Sequence, residues 1–212
     1  YKKRALDKVI DDAYVKRIAE EEGISVTDTE VDDQIRIARE LNRLGGDEGV
    51  FEDILREYWN WSIDDFRRSL KSEILTQKVI RALDSETEQR AVEALGRIEA
   101  GEEFAVVAAE YSDDVVTSEA GGNFGEVSKS NRNVSQQTVD ALFSLPQGEN
   151  SGLTIVPYGT GYALSIIKNI ETTGDTASGA HIIFQLKSVD EVLNERKEQQ
   201  PFRLYYNPVG SS

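Results

Sequence analysis

The chain has 212 residues, 39% hydrophobic and 30% charged, with a net charge of -15 at pH 7. This balance suits a globular protein with one large core or two small ones. The acidic excess opposes a nucleic-acid face, which needs clustered Lys and Arg. No apolar run reaches the roughly 18 residues of a spanning helix, so the chain is expected not to insert into a membrane.

The first eighty residues read as helices. Leu6, Val9, Ile10, Ala13 and Ile18 follow helical spacing, and Gly23 closes that segment. Thr27-Asp28-Thr29-Glu30 is a capping box, in which hydroxyl and carboxylate satisfy the first free N–H groups of a helix. That helix carries Val31, Ile35, Ala38, Leu41 and Leu44 and ends at Gly45-Gly46. Val50, Phe51, Ile54, Leu55 and Tyr58 mark a shorter helix. Ser62-Ile63-Asp64-Asp65 opens the next, with Phe66, Leu70, Ile74, Val79, Ile80 and Leu83 on its apolar face. Trp59 and Trp61 either cap this helical core or offer aromatic surface to peptides.

Ser85-Glu86-Thr87-Glu88 reads as another capping box, starting a helix with Ala91, Val92, Leu95 and Ile98. Phe104, Val107 and Ala108 mark a second helix, ending in Tyr111-Ser112-Asp113-Asp114. A double-glycine loop follows at Gly121-Gly122-Asn123-Phe124-Gly125. A helix is expected around Gln137–Ser144, then the turn Leu145-Pro146-Gln147-Gly148, then a strand from Gly161 to Ile170. Near the end, Ala180-His181-Ile182-Ile183-Phe184 is a second apolar strand. Zero Cys removes disulfides and thiolate sites and is compatible with an extracytoplasmic setting. The chain has no Met, so it is expected to start inside a longer product, behind a removed or anchoring segment.

The ordered set from Gly101-Glu102-Glu103-Phe104 to Gly148 resembles the parvulin peptidyl-prolyl isomerases. The phrases Gly23-Ile24-Ser25-Val26-Thr27-Asp28-Thr29-Glu30-Val31 and Trp61-Ser62-Ile63-Asp64-Asp65-Phe66 resemble the N-terminal domain of SurA- and PrsA-type foldases. The resemblance implies an α+β protein in three parts. Residues 1–84 are expected to be a helical chaperone domain. Residues 85–187 are expected to be a parvulin-like domain with a small antiparallel sheet wrapped by helices. Residues 188–212 are expected to be a C-terminal helix or tail. Parvulins open on a strand written "His-Ile-Leu-Val", which no segment before Glu86 supplies. Ala180–Phe184 resembles it, so strand 179–187 is expected to complete the sheet by permutation.

The implied chemistry needs neither nucleophile, metal nor cofactor. An X–Pro bond isomerises slowly because its partial double bond resists rotation by roughly 18–20 kcal/mol. A catalyst holds the proline in an apolar pocket and favours the twisted amide over both planar forms. Parvulins use two facing histidines, a nearby Cys or Asp, and a pocket of Met or Leu plus Phe. Carried over, His181 is the opening-strand histidine and Asp114 takes the Cys/Asp position, so these two are the catalytic candidates. Ala163 stands where the second histidine would be, counted from Gly161-Tyr162. The substrate pocket falls to Val134, Thr138, Phe124 and Phe143, together with Ala163. Partners are then unfolded or proline-containing polypeptides. The function expected is a folding factor with weak isomerase activity. The alternative is a non-catalytic peptide holder on a degenerate parvulin fold.

Overall fold

In chain order the elements are α1 (Lys2–Glu21), α2 (Asp28–Glu40), α3 (Glu48–Ile54), a π-helical turn (Leu55–Trp59), α4 (Ile63–Leu83), α5 (Ser85–Glu99), α6 (Phe104–Tyr111), α7 (Val115–Ser118), β1 (Asn123–Ser128), α8 (Gln136–Ser144), β2 (Thr154–Tyr158), β3 (Gly161–Thr173), β4 (Thr176–Gln185) and α9 (Val189–Gln199). This computed structural model describes residues 2–40, 48–131, 133–199 and 201. Leu41, Leu44, the expected stop at Gly45-Gly46 and the tail past Pro201 lie outside the described residues. The chain divides into two compact units, Tyr1–Leu83 with Ser188–Ser212, and Asp84–Lys187.

Local capping sets the helix starts of the first unit. Thr27 N–H donates to Glu30 at 2.9 Å while Glu30 N–H donates to Thr27 Oγ1 at 3.2 Å. Ser62 and Asp65 repeat the exchange at 2.9 and 3.2 Å. After Gly23, the Ile24 N–H caps the Ala19 carbonyl at 2.7 Å. The core joins Tyr14, Val15, Ile18 and Ala19 of α1 to Val79 of α4 and Leu193 of α9. The segment after 188 thus supplies a core residue to the first unit. A second cluster joins Val26, Val31 and Ile35 to Phe66, Leu70, Ile74 and Leu75.

Three residues of the first unit expected on buried faces are instead exposed. Val9 is 64% exposed because nine residues separate it from Ile18, about two and a half turns, which puts it on the opposite face. Val50 and Tyr58 are also exposed, leaving Phe51 and Leu55 as the buried pair of their segment. Trp59 and Trp61 are 59% and 40% exposed, so they do not cap the helical core.

The second unit is a four-stranded antiparallel sheet in the order β1-β4-β3-β2. β4 is an inner strand, with a ladder on each side, which explains its unbroken burial from Gly179 to Phe184. β1 covers β4 only as far as Ala180. Beyond that point the Ser112-Asp113 segment takes over. Asp113 N–H donates to the Ile183 carbonyl at 2.7 Å, Ile183 N–H to Ser112 Oγ at 3.1 Å, and Gln185 N–H to Asp113 Oδ2 at 2.8 Å. The strand edge is therefore closed by the end of α6. On one face, Leu142 of α8 packs with Ile167, Val127 and Ala177. On the other, Phe184 lies under Arg90 of α5, 5.9 Å from its ring centre.

The start of α5 differs from the expected capping box. Its cap is Asp84, not Ser85. The Asp84 carboxylate accepts from Thr87 N–H at 3.4 Å and, with its other oxygen, from Lys187 N–H at 2.9 Å. It is almost fully buried, so one side chain ties the first and last residues of this unit. On α5 Val92 is exposed and Ala94 is buried, because two residues turn a helix by about 200°.

Candidate active site

The second unit carries a cleft of about 560 Å³, lined among others by Asp114, Thr117, Phe124, Val134, Thr138 and His181. Each wall has a local cause. Asp114 follows α6 and caps α7, accepting from Val116 N–H at 3.1 Å and Thr117 Oγ1 at 2.8 Å. Its neighbour Asp113 is held by Arg90 at 2.9 Å and by the Gln185 amide, so Asp113 is structural while Asp114 turns to the cleft. His181 sits on central β4, opposite Ile167.

The two catalytic candidates meet. His181 Nε2 lies 2.9 Å from Asp114 Oδ2, and Thr117 Oγ1 lies 3.1 Å from the same nitrogen. Burial pulls His181 below the ordinary imidazole range, and Asp114 offsets this only in part. Burial alone would raise the Asp114 carboxyl, but Thr117, His181 and the Val116 amide together hold it below the usual carboxylate value. Near neutral pH the pair is therefore a neutral imidazole donating Nε2–H to a carboxylate. Tyr158, also in the wall, has its phenol pushed up by burial and by the charges of Asp114 and Asp113.

The double-glycine loop presses on the same strand. His181 N–H donates to the Gly122 carbonyl at 2.9 Å. Gly122 has φ +82°, and a Cβ there would collide with the His181 carbonyl oxygen, so only glycine fits. At Gly179 a Cβ would strike the Phe124 ring. Its absence lets Phe124 lie across the strand, 5.0 Å from the His181 ring.

Of the expected pocket residues, Phe124, Val134 and Thr138 line the cleft. Thr138 is buried, and its hydroxyl is tied to Ser135 Oγ at 2.8 Å at the start of α8. Phe143 is not brought to the cleft. It packs with Leu142 and Ile167, under Lys129. Ala163 is not brought there either. It is fully buried, paired with Gln185 and Val156. The ladder explains this: the strand position opposite Ile183, the residue beside His181 on its face, is Ser165. Counting from Gly161-Tyr162 stops two residues short of it. Thr117 is not among the expected site residues; the signal for it is the spacing Asp114-x-x-Thr117 at a helix start. Among the described residues no cluster of His, Asp and Glu could hold a metal.

Comparison with known proteins gives a family match for each half. Residues 74–171 match the PPIC-type PPIASE domain, and residues 1–80 match the SurA-like N-terminal domain. The isomerase match contains Asp114, Phe124, Val134 and Thr138 but stops before β4 and His181. A foldase protein PrsA from Clostridium botulinum (strain Langeland / NCTC 10281 / Type F) is 29% identical over 136 residues, which are 64% of this chain and 38% of that relative. The matched region thus spans well under half the length of that relative. Two solved structures align with 92% of this chain. The peptidylprolyl isomerase (PrsA) of Bacillus anthracis has 18% identity, 86% of its chain covered and a TM-score of 0.29. The foldase protein PrsA of Streptococcus pneumoniae str. Canada MDR_19A has 14% identity, 79% covered and a TM-score of 0.30. The fold stands on the sheet and the family matches, not on these superpositions.

Proposed function

We propose that this chain, whose parts match a SurA-like N-terminal domain and a PPIC-type PPIASE domain, is an extracytoplasmic folding factor of the SurA/PrsA type that binds unfolded or proline-containing polypeptide and weakly isomerises X–Pro bonds. The observation that carries this reading is the hydrogen-bonded His181–Asp114–Thr117 cluster in the wall of a cleft that also holds Phe124 and Val134.

The geometry suits the reaction. A planar amide is polarised by conjugation, and a twisted one is less so. An apolar wall therefore favours the twisted form relative to water, and only interactions stronger in that form raise the rate. Phe124, Val134 and Val156 supply that wall for the proline ring. The neutral His181 ring, fixed by Asp114 and Thr117, presents a rigid edge without placing a full positive charge beside it. Turnover is weak because Thr138 stands where a pocket phenylalanine would grip proline. A lost Phe side chain forfeits on the order of 2 kcal/mol.

The SurA-like part is assigned to client holding over about residues 1–84, and the isomerase part to 85–187. Exposed Tyr58, Trp59 and Trp61 support the first assignment, since such aromatic surface takes up apolar segments without strict sequence demand. Among the described residues no helix is long and apolar enough to cross a membrane.

The test is amide mapping with a short proline peptide. Shifts are expected at Thr117, Phe124, Val134 and His181. Shifts confined to the first unit would instead favour the holdase reading, in which the parvulin fold no longer takes proline.

A further inference from the structure

His181 is the chain's one histidine, and only one of its ring nitrogens is accounted for. Nε2 meets Asp114 and Thr117. Nδ1 is buried and has no hydrogen-bond partner among the described residues. Ser165 Oγ is buried in the same condition. Buried polar side-chain atoms in folded proteins are nearly always bonded, so two such atoms close together call for a common explanation.

The ladder places them close. Ile183 lines the cleft and pairs with Ser165, while His181 pairs with Ile167. Cross-strand partners share a face, and so do alternate residues of one strand. Ser165 is therefore the diagonal neighbour of His181, a backbone separation of roughly 7–8 Å. A ring, a short hydroxyl and one water span that distance. The chemistry of the two atoms is complementary. With Nε2–H given to Asp114, Nδ1 of the neutral ring is a bare acceptor, and a serine hydroxyl is a donor. A buried water bonds otherwise unsatisfied groups in this manner.

Resting on the reading of His181 as the functional ring of the cleft, we propose that Ser165 is a positioning residue whose hydroxyl, through one bridging water, donates to His181 Nδ1 and holds the ring as the Nε2–H tautomer facing Asp114. Ser165 thereby occupies the place a second histidine would take. It fixes which nitrogen carries the proton and how the ring stands beside Phe124.

The full chain labelled with 15N-histidine reports on this directly, because it holds one imidazole. At neutral pH the wild type should show a protonated Nε2 and an Nδ1 at the position of a hydrogen-bonded acceptor. Ser165→Ala, with its backbone amide spectrum otherwise kept, should move Nδ1 to the free-acceptor position and leave Nε2 in place. Ser165→Thr, which keeps the hydroxyl, should restore it. A wild-type ring protonated on Nδ1, or one with a free Nδ1, would overturn the proposal without recourse to any variant. So would an Nδ1 resonance that Ser165→Ala leaves unmoved. None of these readings uses turnover, so a protein inactive toward proline peptides would sink the isomerase reading and leave this one to its own result.

Discussion

At His181, burial and a carboxylate pull in opposite directions, and burial prevails. The folded protein therefore binds its proton less readily than the unfolded chain. Stability from this group is fully present above the unfolded value of about 6.5 and is lost as pH falls from there through the lower folded value. Asp114 acts in the same sense in a more acid window. Its folded value is depressed, so its contribution is present above the unfolded value of about 3.9 and is lost as pH falls through the lower folded one. The two windows separate the residues. Thermal unfolding of the wild type should gain stability as pH rises from the lower folded value up to about 6.5, and His181→Ala should flatten that rise. A rise that persists in the variant would place its origin elsewhere, since no other histidine exists. Thr138 yields a second expectation. Thr138→Phe should tighten proline-peptide binding by about tenfold, which is what remains of roughly 2 kcal/mol of apolar burial once loss of the Ser135 contact is set against it. Titration calorimetry measures it.

Single elements differ in how far the sequence exposes them. The starts of α2 and α4 are legible because a capping exchange involves neighbours three residues apart. The meeting of Asp114 and His181 is legible only through family resemblance, since 67 residues separate them. The register of β3 on β4 is not legible. Gly161-Tyr162 fixes where the strand begins but not which residue faces His181, and a two-residue difference moves that position from Ala163 to Ser165. The cap of α5 is hidden for a similar reason. Ser85 and Thr87 look sufficient locally, but Asp84 gains the Lys187 amide from 103 residues away. Asp84→Ala should therefore cost about 1–3 kcal/mol, more than an exposed cap, because it leaves a buried amide unpaired. Chemical denaturation of the two proteins gives the difference. A change of a few tenths would reduce Asp84 to an ordinary cap.

On the scale of the whole molecule, the late part of the chain serves both units. β4 is one of the two inner strands of the sheet, and α9 contributes Leu193 to the helical core. A variant ending at residue 174 should lose cooperative unfolding of the second unit. Removing a central strand exceeds the roughly 5–15 kcal/mol by which a domain is stable. Calorimetry that still showed the second transition would mean the sheet closes without β4. On the proposed function, the cleft around His181 and Asp114 turns over proline bonds slowly, within a protein that also holds unfolded chains. Exchange spectroscopy on a short X–Pro peptide panel tests it most directly. Cis–trans exchange is expected to run faster than in buffer alone and to be cut by about tenfold in Asp114→Ala, the scale of one charge-assisted hydrogen bond. Exchange no faster than in buffer, or fast exchange indifferent to that substitution, would contradict it.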